Sequence, residues 1–157
     1  LAQWIPSISY NLRRGGNAII DRKDRAQALT EIRALGRRLG ERGVSAVIYP
    51  EGTRSRDGKL GPFRPGGTLE LLEAAPEIAI VPVTIDNAWK LLRHNLFPVP
   101  FGTRVRVRFG DPIARQPGED RMALLARTRN EIAETLEGWR AEEAEAARRR
   151  AQGRGAA

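Results

Sequence analysis

Apolar and polar positions follow two periods along this chain, and the switches between them mark out its elements. Leu29, Ile32, Leu35 and Leu39 recur at helical spacing behind Asp24, while Arg25, Glu31, Arg33, Arg37, Arg38 and Glu41 fall mostly between them. That spacing predicts an amphipathic helix. Asp24 with Gln27 three positions on forms a capping-box pattern at its start, with Asp in place of Ser or Thr, and Gly43 offers a stop. Residues 17–20 read as a short strand leading to Asp21-Arg22. Residues 44–49 read as a second strand, almost wholly apolar, as a doubly covered parallel position requires. Strand, helix and strand in that order predict a βαβ unit.

Further along, residues 58–67 form a loop rich in Gly and Pro. Leu69, Leu71 and Leu72 then mark a short helix over 68–75, halted before Pro76. Residues 78–85 read as another apolar strand, in which Pro82 signals a sheet edge or a strand end. Residues 104–109 alternate strictly between arginine and an apolar residue, which predicts one buried face and one face carrying Arg104, Arg106 and Arg108. From Asp120, the stripe of Met122, Leu125, Ile132 and Leu136 predicts a long helix. Pro6 precludes a continuous helix through residues 1–16, where Trp4, Ile5, Ile8, Tyr10 and Leu12 mix with Arg13 and Arg14. The fold class that follows is α/β, a single domain with a mixed, mostly parallel sheet flanked by helices. Residues 1–140 form that domain, and residues 141–157 a charged helical tail that frays.

Composition narrows the chemistry. A chain of 157 residues can bury one core. No apolar run approaches the ~18 residues of a membrane-spanning helix. The absence of cysteine excludes disulfides and thiolate chemistry, and a single histidine makes a metal site unexpected. A formal net charge of +8, mostly from arginine, predicts anionic partners: nucleic acid, lipid headgroups or phosphorylated substrates. The chain opens on Leu1 with no basic start before an apolar core, which leads to the expectation that residues preceding Leu1 are lacking.

The densest chemistry follows the second predicted strand, where Val47-Ile48-Tyr49 runs into Pro50-Glu51-Gly52-Thr53-Arg54-Ser55-Arg56. Ligands in open α/β sheets lie beyond the carboxyl ends of strands. Gly52 lets backbone approach a ligand, Arg54 and Arg56 offer planar forks for phosphate or carboxylate, and Glu51 can accept from hydroxyls. A solvated turn with a charge cluster accounts for the same residues equally well. Arg22 ends the first strand and could converge with Arg54 on one anion, or pair with Asp21 or Asp24. Arg64, Pro65, Gly66 and Gly67 could present a helix N-terminus to an anion, or be a plain entry to a helix.

Pro50-Glu51-Gly52-Thr53-Arg54-Ser55 resembles the signature block of the PlsC-like glycerolipid acyltransferases, the family of 1-acylglycerol-3-phosphate acyltransferase. Trp4-Ile5-Pro6 followed by the 16–22 stretch resembles a second block of that family, Phe63-Arg64-Pro65-Gly66 its Phe-Lys-x-Gly stretch with arginine for lysine, and Val81-Pro82-Val83 its last block. These four blocks appear in the family's order over residues 4–86. The resemblance implies a glycerolphosphate-acyltransferase-like fold. It also implies transfer of a fatty acyl group from acyl-CoA or acyl carrier protein to lysophosphatidic acid, in phospholipid biosynthesis, with no further cofactor. It assigns substrate contacts to Arg22, Glu51, Gly52, Thr53, Arg54, Ser55, Arg64 and Gly66: Arg22 and Arg54 on the phosphate, Glu51 and Thr53 on the glycerol.

The family's general base is a histidine followed four residues later by an orienting aspartate. His94 does not fit, because Val99 stands at the aspartate position. The pair is therefore expected upstream of Leu1, leaving this chain inactive alone. A lipid substrate, the basic surface and the apolar 4–12 segment imply peripheral contact at the cytoplasmic face of a membrane. Two other readings are compatible with the residues. One is an acyltransferase for another lyso-lipid acceptor; the other is a non-enzymatic basic module for nucleic acid or anionic membrane, though no nucleic-acid recognition motif appears.

Overall fold

The computed structural model describes residues 10, 12, 14–21, 23–91, 100–116 and 118–154. Expectations for residues 1–9, for Arg22 and for His94 fall outside them. The chain divides into two compact units, one of Leu1–Gly52 with Phe63–Ile78 and the other of Thr53–Pro62 with Ala79–Ala157.

The first unit is built on two helices, α1 (Arg25–Arg42) and α2 (Pro65–Ala74). Asp24 caps α1 by accepting from the Gln27 amide at 3.0 Å. Gln27 does not close the box on Asp24. Its side chain accepts instead from the Asp21 amide at 2.9 Å and donates to the Ile19 carbonyl at 2.9 Å, stitching the preceding segment to the helix. Gly43 ends α1 at φ 60°, its amide returned to the Leu39 carbonyl, as a left-handed cap requires. α2 starts three residues earlier than the leucine spacing suggests, because Pro65 at N1 is already set at a helical φ. Leu39, Leu71 and Ala75 form the buried centre, with Ile32, Leu35, Ala46 and Ile78 packed around it. Gly36 lets the helices meet: a methyl group there would stand 2.5 Å from Ala74 Cβ.

The second unit pairs β1 (Val83–Asp86) antiparallel with β2 (Arg106–Phe109). The short α3 (Ala88–Leu91) and the long α4 (Arg121–Arg154) complete it. β1 begins immediately after Pro82, which cannot donate to a ladder, although its carbonyl accepts from Gly110 at 2.8 Å. In the register Val83↔Phe109, Thr84↔Arg108, Ile85↔Val107, Asp86↔Arg106, alternate pairs share a face. Arg106 lies over the Trp139 ring, donates to the Trp139 carbonyl at 3.0 Å and pairs with Glu143 at 3.0 Å, while Arg108 reaches Thr135 at 3.3 Å.

Two expectations change here. Within the alternating 104–109 segment the strand is Arg106–Phe109, and of its three arginines Arg106 is half-buried while Arg104 and Arg108 are exposed; the apolar Val107 and Phe109 are not covered either, at 52% and 73% exposed. The reason is the partner: the facing side of α4 offers carboxylates, a hydroxyl and an indole, which suit long cationic stems better than aliphatic side chains. Secondly, the sheet formed among the described residues is this antiparallel pair, not a mostly parallel one. Residues 17–20 and 44–49 join no ladder, and Val47 and Tyr49 are 79% and 71% exposed. A run of apolar residues specifies strand propensity, but pairing is a long-range event it does not encode. No helix among the described residues is long and apolar enough to cross a membrane.

Candidate functional site

In the first unit, the residues after the 44–49 segment fold into a tight turn. The Gly52 amide donates to the Tyr49 carbonyl at 3.0 Å, and Gly52 adopts φ 66°, a region that favours glycine. The turn is tied to the start of α2 by the Arg64 amide, which donates to the Pro50 carbonyl at 2.7 Å. Arg64 is the N-cap residue of α2, with extended backbone and no side-chain cap bond. Its side chain runs across Gly52: a Cβ at 52 would lie 3.1 Å from Arg64 Cδ and 3.4 Å from Nε. Glycine at 52 is thus required twice, by its φ and by the stem of Arg64.

This arrangement brings three of the sequence-predicted residues together: Gly52, Arg64 and Gly66. Pro65 has no N–H, so the first unsatisfied helix donors belong to Gly66 and Gly67. Gly66 is exposed, and nothing lies within 4 Å of a side chain built there. Two backbone donors at a positive helix end, beside an exposed guanidinium, form an electropositive corner suited to a phosphate monoester. Glu51, half-buried, precedes Gly52 in the turn.

The rest of the signature lies in the second unit. Thr53 and Arg54 are exposed. Ser55 is taken up by the loop itself, its hydroxyl accepting from the Gly58 amide at 2.8 Å and donating to Asp57 at 3.3 Å. Asp57 in turn accepts from the Lys59 amide at 3.1 Å. That amide holds the Asp57 carboxyl below its ordinary range, with lesser help from Ser55 and Lys59. A carboxyl lowered in the fold contributes stability that is full above its unfolded value and lost as pH falls through its native one. The Lys59 amide resonance is therefore expected to titrate with an inflection below ~3.9, the ordinary aspartate value. An inflection at or above that value in a pH series of amide spectra would remove Asp57 from the loop's support.

Sequence reading missed the residues that brace this loop. Arg129 Nε donates to the Gly61 carbonyl at 3.3 Å, Arg140 donates to the Gly58 carbonyl, and the Trp89 indole packs on Gly58. The one local signal was Gly58, which follows Asp57 as a turn would demand; nothing in the period of α4 singles out two arginines. No cluster of residues able to hold a metal ion occurs among the described residues.

The site's motifs have relatives. The family model described as Acyltransferase matches residues 1–86, and the chain belongs to that acyltransferase family, of the PlsC-like kind. Among individual proteins, it is 31% identical over 113 residues to the 1-acyl-sn-glycerol-3-phosphate acyltransferase of Limnanthes douglasii, covering 70% of this chain and 38% of that one. It is 37% identical over 92 residues to the protein of that name from Salmonella typhimurium, covering 59% and 37%. The chloroplastic 1-acyl-sn-glycerol-3-phosphate acyltransferase LPAT1 of Arabidopsis thaliana is 31% identical over 134 residues, covering 85% and 36%. The chain thus spans a little over a third of the length of these curated relatives. No solved structure matches it.

Proposed function

We propose that this chain carries the acceptor-binding part of an O-acyltransferase that moves a fatty acyl group onto lysophosphatidic acid. The observation that carries the reading is the apposition of Gly52, the Arg64 side chain and the open N-terminus of α2. The names of the relatives support the substrate. In this reading the acceptor phosphate is held by Arg64 and the Gly66 backbone, with Glu51 and Thr53 on the glycerol portion and its one free hydroxyl, and Ser55 shaping the loop. Arg22 and Arg54 enter through their motifs, as further phosphate ligands.

The reaction joins the acceptor hydroxyl oxygen to the acyl carbon and breaks the thioester C–S bond; the hydroxyl proton passes to a base and from it to the departing sulfur of CoA or the carrier protein, which leaves as the thiol. Such a base needs a pKa near working pH. This sequence holds one histidine, His94, with Val99 where the orienting aspartate would stand. We therefore assign the chain binding without transfer when it acts alone. The lipid acceptor and the net charge of +8 support peripheral contact with the cytoplasmic face of an anionic membrane.

Affinity for a short-chain lysophosphatidic acid tests the motif assignments. Arg22→Ala and Arg54→Ala are each expected to weaken it about tenfold, the value of one charge-assisted hydrogen bond. Unchanged affinity in both variants would withdraw the phosphate from these two arginines.

A further inference from the structure

The signature loop is braced from behind by side chains beyond the family match, which ends at residue 86. Within the second unit, Arg129 donates to the carbonyl of Gly61 across 68 positions of sequence, and Arg140 to that of Gly58 across 82. The two arginines are eleven residues apart on α4, about three turns, so they share one helix face ~16 Å from end to end. Gly58 sits between this face and α3. It adopts φ 80°, and any Cβ there would collide with the Trp89 indole. Inside the loop, the Ser55 hydroxyl binds the Gly58 amide and Asp57 binds the Lys59 amide. A hold on Gly58 is thereby passed back to Ser55, the neighbour of Arg54.

We propose that Arg129 and Arg140 are positioning residues, fixing residues 53–56 in the shape that meets the acceptor by gripping the carbonyls of Gly61 and Gly58. Guanidinium-to-carbonyl bonds are charge-assisted and directional, so each arginine restrains main chain rather than filling space. Both cations also add to the positive potential around Arg54 and Arg56, which favours a phosphate there. The face of α4 thus does for the loop what a neighbouring strand does for a ladder. This inference rests on the acceptor reading above, and its test separates the two.

Two measurements on the 157-residue chain decide it: hydrogen exchange at the Gly58 and Lys59 amides, and affinity for short-chain lysophosphatidic acid. In Arg129→Ala/Arg140→Ala, exchange at both amides is expected to quicken about tenfold and affinity to fall about fivefold to tenfold, as loss of charge-assisted bonds predicts. The Lys/Lys variant, which restores one donor at each place, is expected to recover most of both. Unchanged exchange overturns the brace. Faster exchange with unchanged affinity overturns its role in positioning, and faster exchange spread evenly over β1, β2 and α4 overturns it in favour of general loosening. A wild-type chain that binds no lysophosphatidic acid sinks the acceptor reading instead, while the exchange data still decide whether α4 holds the loop.

Discussion

Valine in place of Gly36 is expected to cost the first unit about 3 kcal/mol, the upper range for overpacking a close contact. The site leaves no slack, because even a bare methyl group would lie 2.5 Å from Ala74 Cβ and 3.1 Å from the Ala74 carbonyl carbon. Both neighbours are fixed: one is the first atom of a side chain, the other is backbone. α1 and α2 would have to separate, opening the contact of Leu39 with Leu71 and Ala75. Gly36→Ala should lose less, since about 1 kcal/mol of helix propensity offsets part of the clash. Gly40→Ala is the control: it lies on the same helix with nothing within 4 Å, so it should stabilise by that propensity alone. Urea melts followed by helical circular dichroism rank the three variants. Gly36→Val melting with the wild type would show that the two helices do not meet as described.

Arg64→Ala is expected to weaken lysophosphatidic acid binding about tenfold to hundredfold, the span of one or two charge-assisted hydrogen bonds. Arg64 acts as N-cap residue, stem across Gly52 and cation at once, and alanine removes the last two. Arg64→Lys keeps the charge and the aliphatic stem but not the fork, so it should fall between. Gly52→Val should match or exceed Arg64→Ala, since a branched side chain is strained at φ 66° and displaces the arginine. Calorimetric titration of the three variants gives the order. Full affinity in Arg64→Ala would place the phosphate elsewhere.

How far these features could be read in advance depended on how local they are. α1 was legible from end to end because cap, stripe and stop lie within twenty residues and need no distant partner. Gly43 is the clearest case: its left-handed cap is dictated by the helix it ends. The sheet was less legible. Arginine alternation in β2 revealed a strand but not which face would be covered, since that depended on Trp139, Glu142 and Glu143 more than thirty residues on. Residues 44–49 carry a strand's composition without a ladder. For the site, Gly52, Arg64 and Gly66 were each named from residue chemistry and from motif resemblance, but the stem of Arg64 lying on Gly52 follows from the turn geometry alone. Arg129 and Arg140 were invisible, because main-chain carbonyls as partners leave no trace in side-chain patterning.

In the proposed acceptor site a turn glycine, an arginine stem and an open helix end together hold a phosphate monoester. The most direct measurement compares wild-type affinity for lysophosphatidic acid with that for lysophosphatidylcholine of the same acyl chain, before and after Arg64→Ala. The wild type should prefer the monoester at least about tenfold, because its dianion meets the arginine and the Gly66 backbone with no choline to shield it. In Arg64→Ala that preference should collapse toward parity while the acyl-chain contribution stays. Equal affinity for both lipids in the wild type, or a preference untouched by losing Arg64, would contradict it.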